Sequence, residues 1–230
     1  NKVIVNSIDF RNQINNEFNI KSSFIYNPLN KTEIINKSKI KTKNYFKKNV
    51  KLKIICVGRF VDQKDQITLL KALKLIKSNV EFETLLLGEG KMLDKYKLFI
   101  KENSLRKKVK LIKFQKNPYP IIKQSNIVVL SSKYEGLPNI LLEGLLLKKY
   151  IISSNCPTGP KEILDNGSGG DLFKVGNYDE LAIKFQNFEK KNIKIINKKI
   201  EHGYKRLNRF DYKSNMEAYL KIVNNELKKL

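Results

Sequence analysis

From Lys51 to about Gly167 the apolar residues fall into two kinds of run that alternate. The short, nearly continuous ones read as strands covered on both faces: LKIICVG (52–58), FETLLLGEG (82–90), VKLIKF (109–114), NIVVLSS (126–132) and KYIISS (149–154). The longer ones carry apolar residues at helical spacing. DQITLLKALKLIKS (65–78) is apolar at Ile67, Leu70, Leu73 and Ile76. MLDKYKLFIKEN (92–103), YPIIKQS (119–125), PNILLEGLLL (138–147) and PKEILDNG (160–167) follow the same rule. Strands that alternate with helices predict an α/β domain with a Rossmann-like parallel sheet and helices on both faces. Open parallel sheets bind ligands at the carboxyl ends of their strands. Gly58, Gly88 and the EGLP turn all fall there.

The flanks read differently. Residues 1–26 give strand, helix, strand: VIVNS, then DFRNQINNEFNI with Asp9 near its start, then SSFIY. Residues 27–50 open on the turn signal NPLN and continue Lys-rich without a strong period, so a linker or loosely packed segment is expected there. The tail is helical in period from Tyr178, through YDELAIKFQNF, a Lys-rich helix, and SNMEAYLKIVNNELKKL. The expected division is 1–26, linker 27–50, a nucleotide-binding Rossmann-like domain over 51–190, and C-terminal helices over 191–230.

Composition changes this picture little. The 230 residues are 41% hydrophobic, enough for a substantial core. No apolar run approaches the roughly 20 residues that span a bilayer, and no secretory leader opens the sequence. Cys56 and Cys156 lie near strand ends, and two cysteines so spaced read as reduced core thiols rather than a metal framework. The net charge of +24 comes from Lys spread along the chain. Spread Lys is first a solvated surface; scarce Arg and no aromatic-basic interleaving argue against nucleic-acid reading, while attraction to an anionic membrane stays open.

Two acids stand out in so basic a chain. Glu135 precedes the turn Gly136-Leu137-Pro138-Asn139, and Glu143 lies on the helix behind it. A helix that starts near Pro138 presents free backbone N–H groups to an anion, and Gly136 lets a ligand approach. Carboxylates on either side could accept from a sugar ring and a ribose. A simpler account has Glu135 meeting the helix dipole and Glu143 pairing with a surface Lys. Arg59 and Lys64 follow the first buried strand, where two cations suit a diphosphate, or are ordinary loop charges. His202, in KKIEHGYKR between the tail helices, reads as a surface or helix-end residue.

VGRFVDQKD, LLLGEG, VKLIKFQKNPYPIIKQSNIVVLSSKYEGLPNILLEG and CPTGPKEILDNGSGGDLF, in this order, resemble the C-terminal, donor-binding domain of family 4 glycosyltransferases, retaining enzymes of the GT-B fold. The likeness runs from about Phe24 to Phe188, with FIYNPL similar to the crossing between the two domains. The resemblance implies that Arg59 and Lys64 bind the donor diphosphate and that Glu135 faces the donor sugar. It implies that Glu143 holds the ribose and that Gly136, Leu137 and Asn139 form the turn whose backbone meets sugar and phosphate. Gly58 and Gly88 would line the nucleotide cleft, and Glu162 in TGPKEI would be a lesser donor contact. Two positions depart from the pattern: relatives carry glycine near Lys113, and Ala where Gly144 stands.

The activity so implied is transfer, with retention, of a hexose or N-acetylhexosamine from a nucleotide sugar, a UDP-sugar by resemblance, to a glycan or polyprenyl-linked acceptor. No metal and no cofactor beyond the donor is expected. The expected place is the cytoplasm, at the inner face of the membrane. Only the last strand and helix of a first domain would fit in residues 1–23, so an N-terminally truncated chain, inactive alone, is expected. Two readings stand beside this one: a sugar-nucleotide epimerase of the same architecture, which needs no acceptor, and a non-catalytic basic binding module.

Overall fold

The computed structural model describes residues 2–228. Its main sheet uses six parallel strands: β3 (Leu52–Val57), β4 (Phe82–Leu87), β5 (Val109–Ile112), β6 (Ile127–Leu130), β7 (Tyr150–Ser154) and β8 (Asp171–Phe173), in the order β5-β4-β3-β6-β7-β8. The chain winds outward one way from β3, then returns and winds the other way from β6. The order therefore reverses between β3 and β6, and their carboxyl ends open a crevice there. The expected α/β fold class is the observed one.

Continuous apolar runs serve because each strand feeds two cores. Leu52, Ile54, Cys56, Ile127, Val129 and Ile152 face one side. Ile55, Val128, Leu130 and Ile151, their alternate neighbours, face the other. The first side is covered by α3 (Gln66–Ile76), α4 (Leu93–Glu102), α8 (Tyr178–Lys190) and α9 (Ile193–Lys205). The second is covered by α2 (Lys31–Ser38), α5 (Tyr119–Gln124), α6 (Asn139–Leu146) and α7 (Pro160–Ile163). Gly144 in α6 is a packing choice: a Cβ there would lie 2.8 Å from Ile151 Cδ1 and 3.2 Å from Val128 Cγ2.

Two elements were not foreseen. The stretch expected to be a linker holds α2, capped by Asn30, with Ile34 buried beneath it. Downstream, the Tyr45 N–H donates to Gln124 Oε1 at 2.9 Å, the Lys47 N–H donates to the buried Glu83 carboxylate at 2.8 Å, and Phe46 is buried. The segment is packed because a few apolar anchors and backbone hydrogen bonds suffice, without a periodic face. β8 is three residues long and follows glycines, so it left no periodic trace.

The N-terminal residues form a separate unit. β1 (Val3–Val5) and β2 (Ser22–Phe24) pair in parallel, joined by α1 (Ile8–Phe18), whose N-cap is Ser7. The last helix, α10 (Tyr212–Leu227), follows a 3-10 turn over Arg206–Phe210. Among the described residues no helix is long and apolar enough to cross a membrane.

Asp171 ties the sheet edge to the tail. Its carboxylate, 7% exposed, meets Lys191 at 2.7 Å and Lys199 at 2.6 Å. Burial alone would raise this group; the two ammonium hydrogen bonds outweigh it and hold the carboxyl below its usual range. A depressed carboxyl stabilises the fold above its unfolded pKa and loses that contribution as pH falls through its folded pKa. Asp171→Asn should therefore cost about 2 kcal/mol in urea unfolding at pH 7. The deficit should shrink towards pH 3, and an equal deficit at both pH values would refute this account.

Candidate active site

The switch point brings together two loops that are distant in sequence. The loop after β3 carries Gly58, Arg59 and a 3-10 turn over Asp62–Lys64 that leads into α3. The loop after β6 carries Ser131 to Glu135 and leads into α6. Lys64 Nζ lies 2.6 Å from Glu135 Oε1, with the two side chains 19% and 8% exposed. The Ser132 hydroxyl donates to the same carboxylate oxygen at 2.5 Å.

Backbone contacts fix this pair. The Lys133 N–H donates to the Gln63 carbonyl at 2.8 Å, Gln63 Nε2 to the Tyr134 carbonyl at 3.0 Å, and Ser131 Oγ to the Lys64 carbonyl at 3.0 Å. A third loop closes from β7: the Glu135 N–H donates to the Pro157 carbonyl, and Thr158 donates through its N–H to Glu135 and through its hydroxyl to Gly136. Gly159 sits at φ 93°, and a Cβ there would stand 2.5 Å from the Gly136 carbonyl. Only glycine fits both the conformation and the approach.

Beside the pair lies a cleft of about 600 Å³, lined by Gly58, Arg59, Gly88, Phe114, Tyr119 and Glu143 among others. Arg59 is exposed and has no ion-pair partner among the described residues. Glu143 is half-buried and accepts from the Tyr119 hydroxyl at 3.3 Å. Burial raises its carboxyl above the ordinary value, and the tyrosine bond offsets part of that. Tyr119 is pushed up to about 12 by burial and then by the Glu143 charge. Among the described residues no side chain caps α6, so its first turn presents free N–H groups.

The cleft floor depends on Gly88. A Cβ there would lie 2.0 Å from the Gly58 carbonyl oxygen, backbone against backbone. Gly88→Ala should cost about 3 kcal/mol in thermal or urea unfolding, because neither loop can yield without breaking the strand register between β3 and β4. Wild-type stability in this variant would show that the two loops do not pack as described.

The structure assembles most of the residues singled out from sequence. Lys64 and Glu135 touch, and Gly58, Arg59, Gly88 and Glu143 share the cleft. Leu137 is a core residue, 6% exposed. Asn139 accepts from Asn27 Nδ2 at 2.9 Å, and Asn27 also donates to the Leu137 carbonyl, so the crossing segment FIYN supports the turn. Gly136 faces the Asn6 side chain, 3.4 Å from where its Cβ would be.

Glu162 is the exception. Its carboxylate accepts from the Ile8 and Asp9 N–H groups at the start of α1 and from the Tyr26 hydroxyl, and its carbonyl accepts from Arg209. It fastens the N-terminal unit and does not line the cleft, as its charge suits a helix start. His202 lies in the last turn of α9 rather than between helices, a partly exposed helix-end residue as expected, and hydrogen-bonds to the Asp165 carboxylate at 2.7 Å. Both cysteines are free and buried, and burial pushes Cys56 up to about 12 and Cys156 up to about 11.

Sequence reasoning missed Ser132, Tyr119 and Phe114. Ser132 sits in a serine pair that reads as a strand end, and Tyr119 in a helix start. Phe114, 61% exposed, is an aromatic side chain at the cleft edge, and exposure cannot be read from a run such as LIKF.

The sequence matches the family described as "Glycosyl transferases group 1" over residues 37–206. It is 30% identical over 215 residues to a capsular polysaccharide biosynthesis glycosyltransferase of Staphylococcus aureus, covering 90% of this chain and 55% of that protein. A crystal structure of a glycosyltransferase from Rickettsia africae superposes with a TM-score of 0.88 at 20% identity, covering 100% of this chain and 64% of that one. The Anabaena protein HepE, crystallised in complex with UDP, superposes with a TM-score of 0.82 at 16% identity, covering 97% of this chain and 64% of that one. The chain spans 27% to 55% of the length of the curated relatives it matches.

Proposed function

The chain belongs to the group 1 glycosyl transferases, and we propose that it forms the donor-binding half of a retaining enzyme. That enzyme moves a hexose or N-acetylhexosamine from a UDP-sugar to a glycan or polyprenyl-linked acceptor during cell-surface polysaccharide synthesis. The observation that carries this reading is the Lys64–Glu135 contact at the switch point, beside a cleft that ends on Glu143. The capsular polysaccharide relative supports the acceptor class, and the UDP complex of the structural neighbour supports the nucleotide.

In this mechanism the base and ribose occupy the cleft, with the ribose hydroxyls on Glu143. The diphosphate lies over the first turn of α6 and draws Lys64 and Arg59. Lys64 then serves two anions, Glu135 and the phosphate, and its charge stabilises the leaving diphosphate as the glycosidic bond breaks. Glu135 orients the hexose so that the acceptor attacks on the face from which the nucleotide departs. Contact between the Lys-rich surface and an anionic membrane would bring a lipid-linked acceptor to this face.

Calorimetric titration with UDP, GDP and ADP tests the assignment. Saturable binding, tightest for UDP and weakened by Glu143→Ala, is the expected result. A protein that binds none of the three sinks it.

A further inference from the structure

The loop that carries both basic residues is held by a buried polar relay. Gln66 stands at the first position of α3 and is 1% exposed. Its Nε2 reaches back and donates to the Arg59 carbonyl at 2.9 Å, closing the loop from residue 59 to residue 66 into a ring. Its Oε1 accepts from the Tyr96 hydroxyl at 2.7 Å. Tyr96 comes from α4, is 1% exposed, and lies among apolar side chains including Phe60, against which its ring packs edge-on at 5.4 Å.

Buried amides and phenols cost stability unless every polar atom is matched, and an apolar pair of the same shape would fill this space as well. The relay therefore needs a use beyond packing, and its far end supplies one. Arg59 is an exposed cation on the cleft wall, and its carbonyl accepts both from Gln66 Nε2 and from the Val61 N–H at 3.0 Å. The flanking residues are pinned as well: the Gly58 N–H donates to Leu87, the Phe60 N–H donates to Glu89, and the Phe60 carbonyl accepts from Met92. Against that frame Gln66 adds a side-chain tie at the residue from which the Arg59 side chain leaves the loop.

We infer that Gln66 and Tyr96 are positioning residues that aim Arg59 at the donor diphosphate. This rests on the donor-site reading above. A long cation on a loose loop spends its binding in ordering itself; one held in place does not.

The test is UDP affinity by calorimetry on the chain, for wild type, Tyr96→Phe, Arg59→Ala and the two combined. Tyr96→Phe should raise the Kd about tenfold in the wild-type background and less than about twofold when Arg59 is already alanine. The pair Gln66→Leu with Tyr96→Phe, which removes both side-chain hydrogen bonds and leaves the Arg59 carbonyl on the Val61 N–H, should keep the wild-type melting temperature and show the same loss. An equal loss with and without Arg59 would reduce the relay to a structural feature and overturn the inference. So would unchanged affinity in Tyr96→Phe alongside a weakened Arg59→Ala. If wild type does not bind UDP at all, the donor-site reading itself falls, and the inference with it.

Discussion

Lys64→Ala should lower UDP affinity about a hundredfold and, in the proposed full-length enzyme, remove transfer altogether. Lys64 Nζ sits 2.6 Å from the Glu135 carboxylate at the point where β3 and β6 part, and its side chain is four-fifths buried. A charge-assisted contact with a diphosphate contributes about 2–3 kcal/mol, which is a factor of about 30 to 150 in affinity. Among the described residues the substitution also leaves the Glu135 carboxylate with only the Ser132 hydroxyl. Breaking a buried pair from one side costs up to about 3–5 kcal/mol, and partial exposure of the lysine brings the expectation to about 2. Lys64→Met combined with Glu135→Gln removes both charges and separates the two effects: stability returns and binding does not. Glu135→Ala alone should bind UDP nearly as wild type yet fail in transfer, because this carboxylate is assigned to the sugar and not to the nucleotide. Calorimetry on the chain and a transfer assay of the full-length enzyme with a UDP-sugar distinguish the two. Wild-type UDP affinity in Lys64→Ala would rule out a diphosphate at the switch point.

Glu143→Gln should weaken UDP about thirtyfold at pH 7 while making the unliganded protein more stable. Burial raises the carboxyl of Glu143. The sign follows directly: for a group with a raised folded pKa, the stabilising contribution is full below the unfolded pKa and is lost as pH rises through the folded one. Wherever the carboxylate is ionised the fold carries its charge in a partly dry site, and glutamine removes that cost. In the proposed site binding runs the other way, because the two ribose hydroxyls assigned to Glu143 would need the ionised acceptor. Wild-type affinity should fall as pH drops through the raised pKa of Glu143, and the glutamine variant should lack that limb. The measurements are melting temperature and UDP affinity across a pH series. Parallel pH profiles for the two proteins would remove Glu143 from the ribose site. The trade of stability for a charged acceptor is common where binding requires it.

The sequence by itself determined the order of strands and helices over residues 51–167, because burial on two faces writes continuous apolar runs and helix packing writes a helical period. It also placed Gly58, Lys64, Gly88 and Glu135 just after strands, where parallel sheets expose their binding edge. Only the tertiary structure decided which of those edges meet. Lys64 and Glu135 are 71 residues apart, and they touch because crossovers set β3 beside β6, a choice that no local period encodes. The same holds for Tyr119 on Glu143, for the reach of Gln66 to Arg59 and of Tyr96 to Gln66, and for the diversion of Glu162 to the start of α1. It holds too for residues 31–50, whose few apolar anchors become legible only once α5 and the edge of β4 lie underneath. Periodicity is a property of one segment against an unspecified core. A hydrogen bond between side chains is a property of two segments, and its partner exists only after the sheet has been ordered.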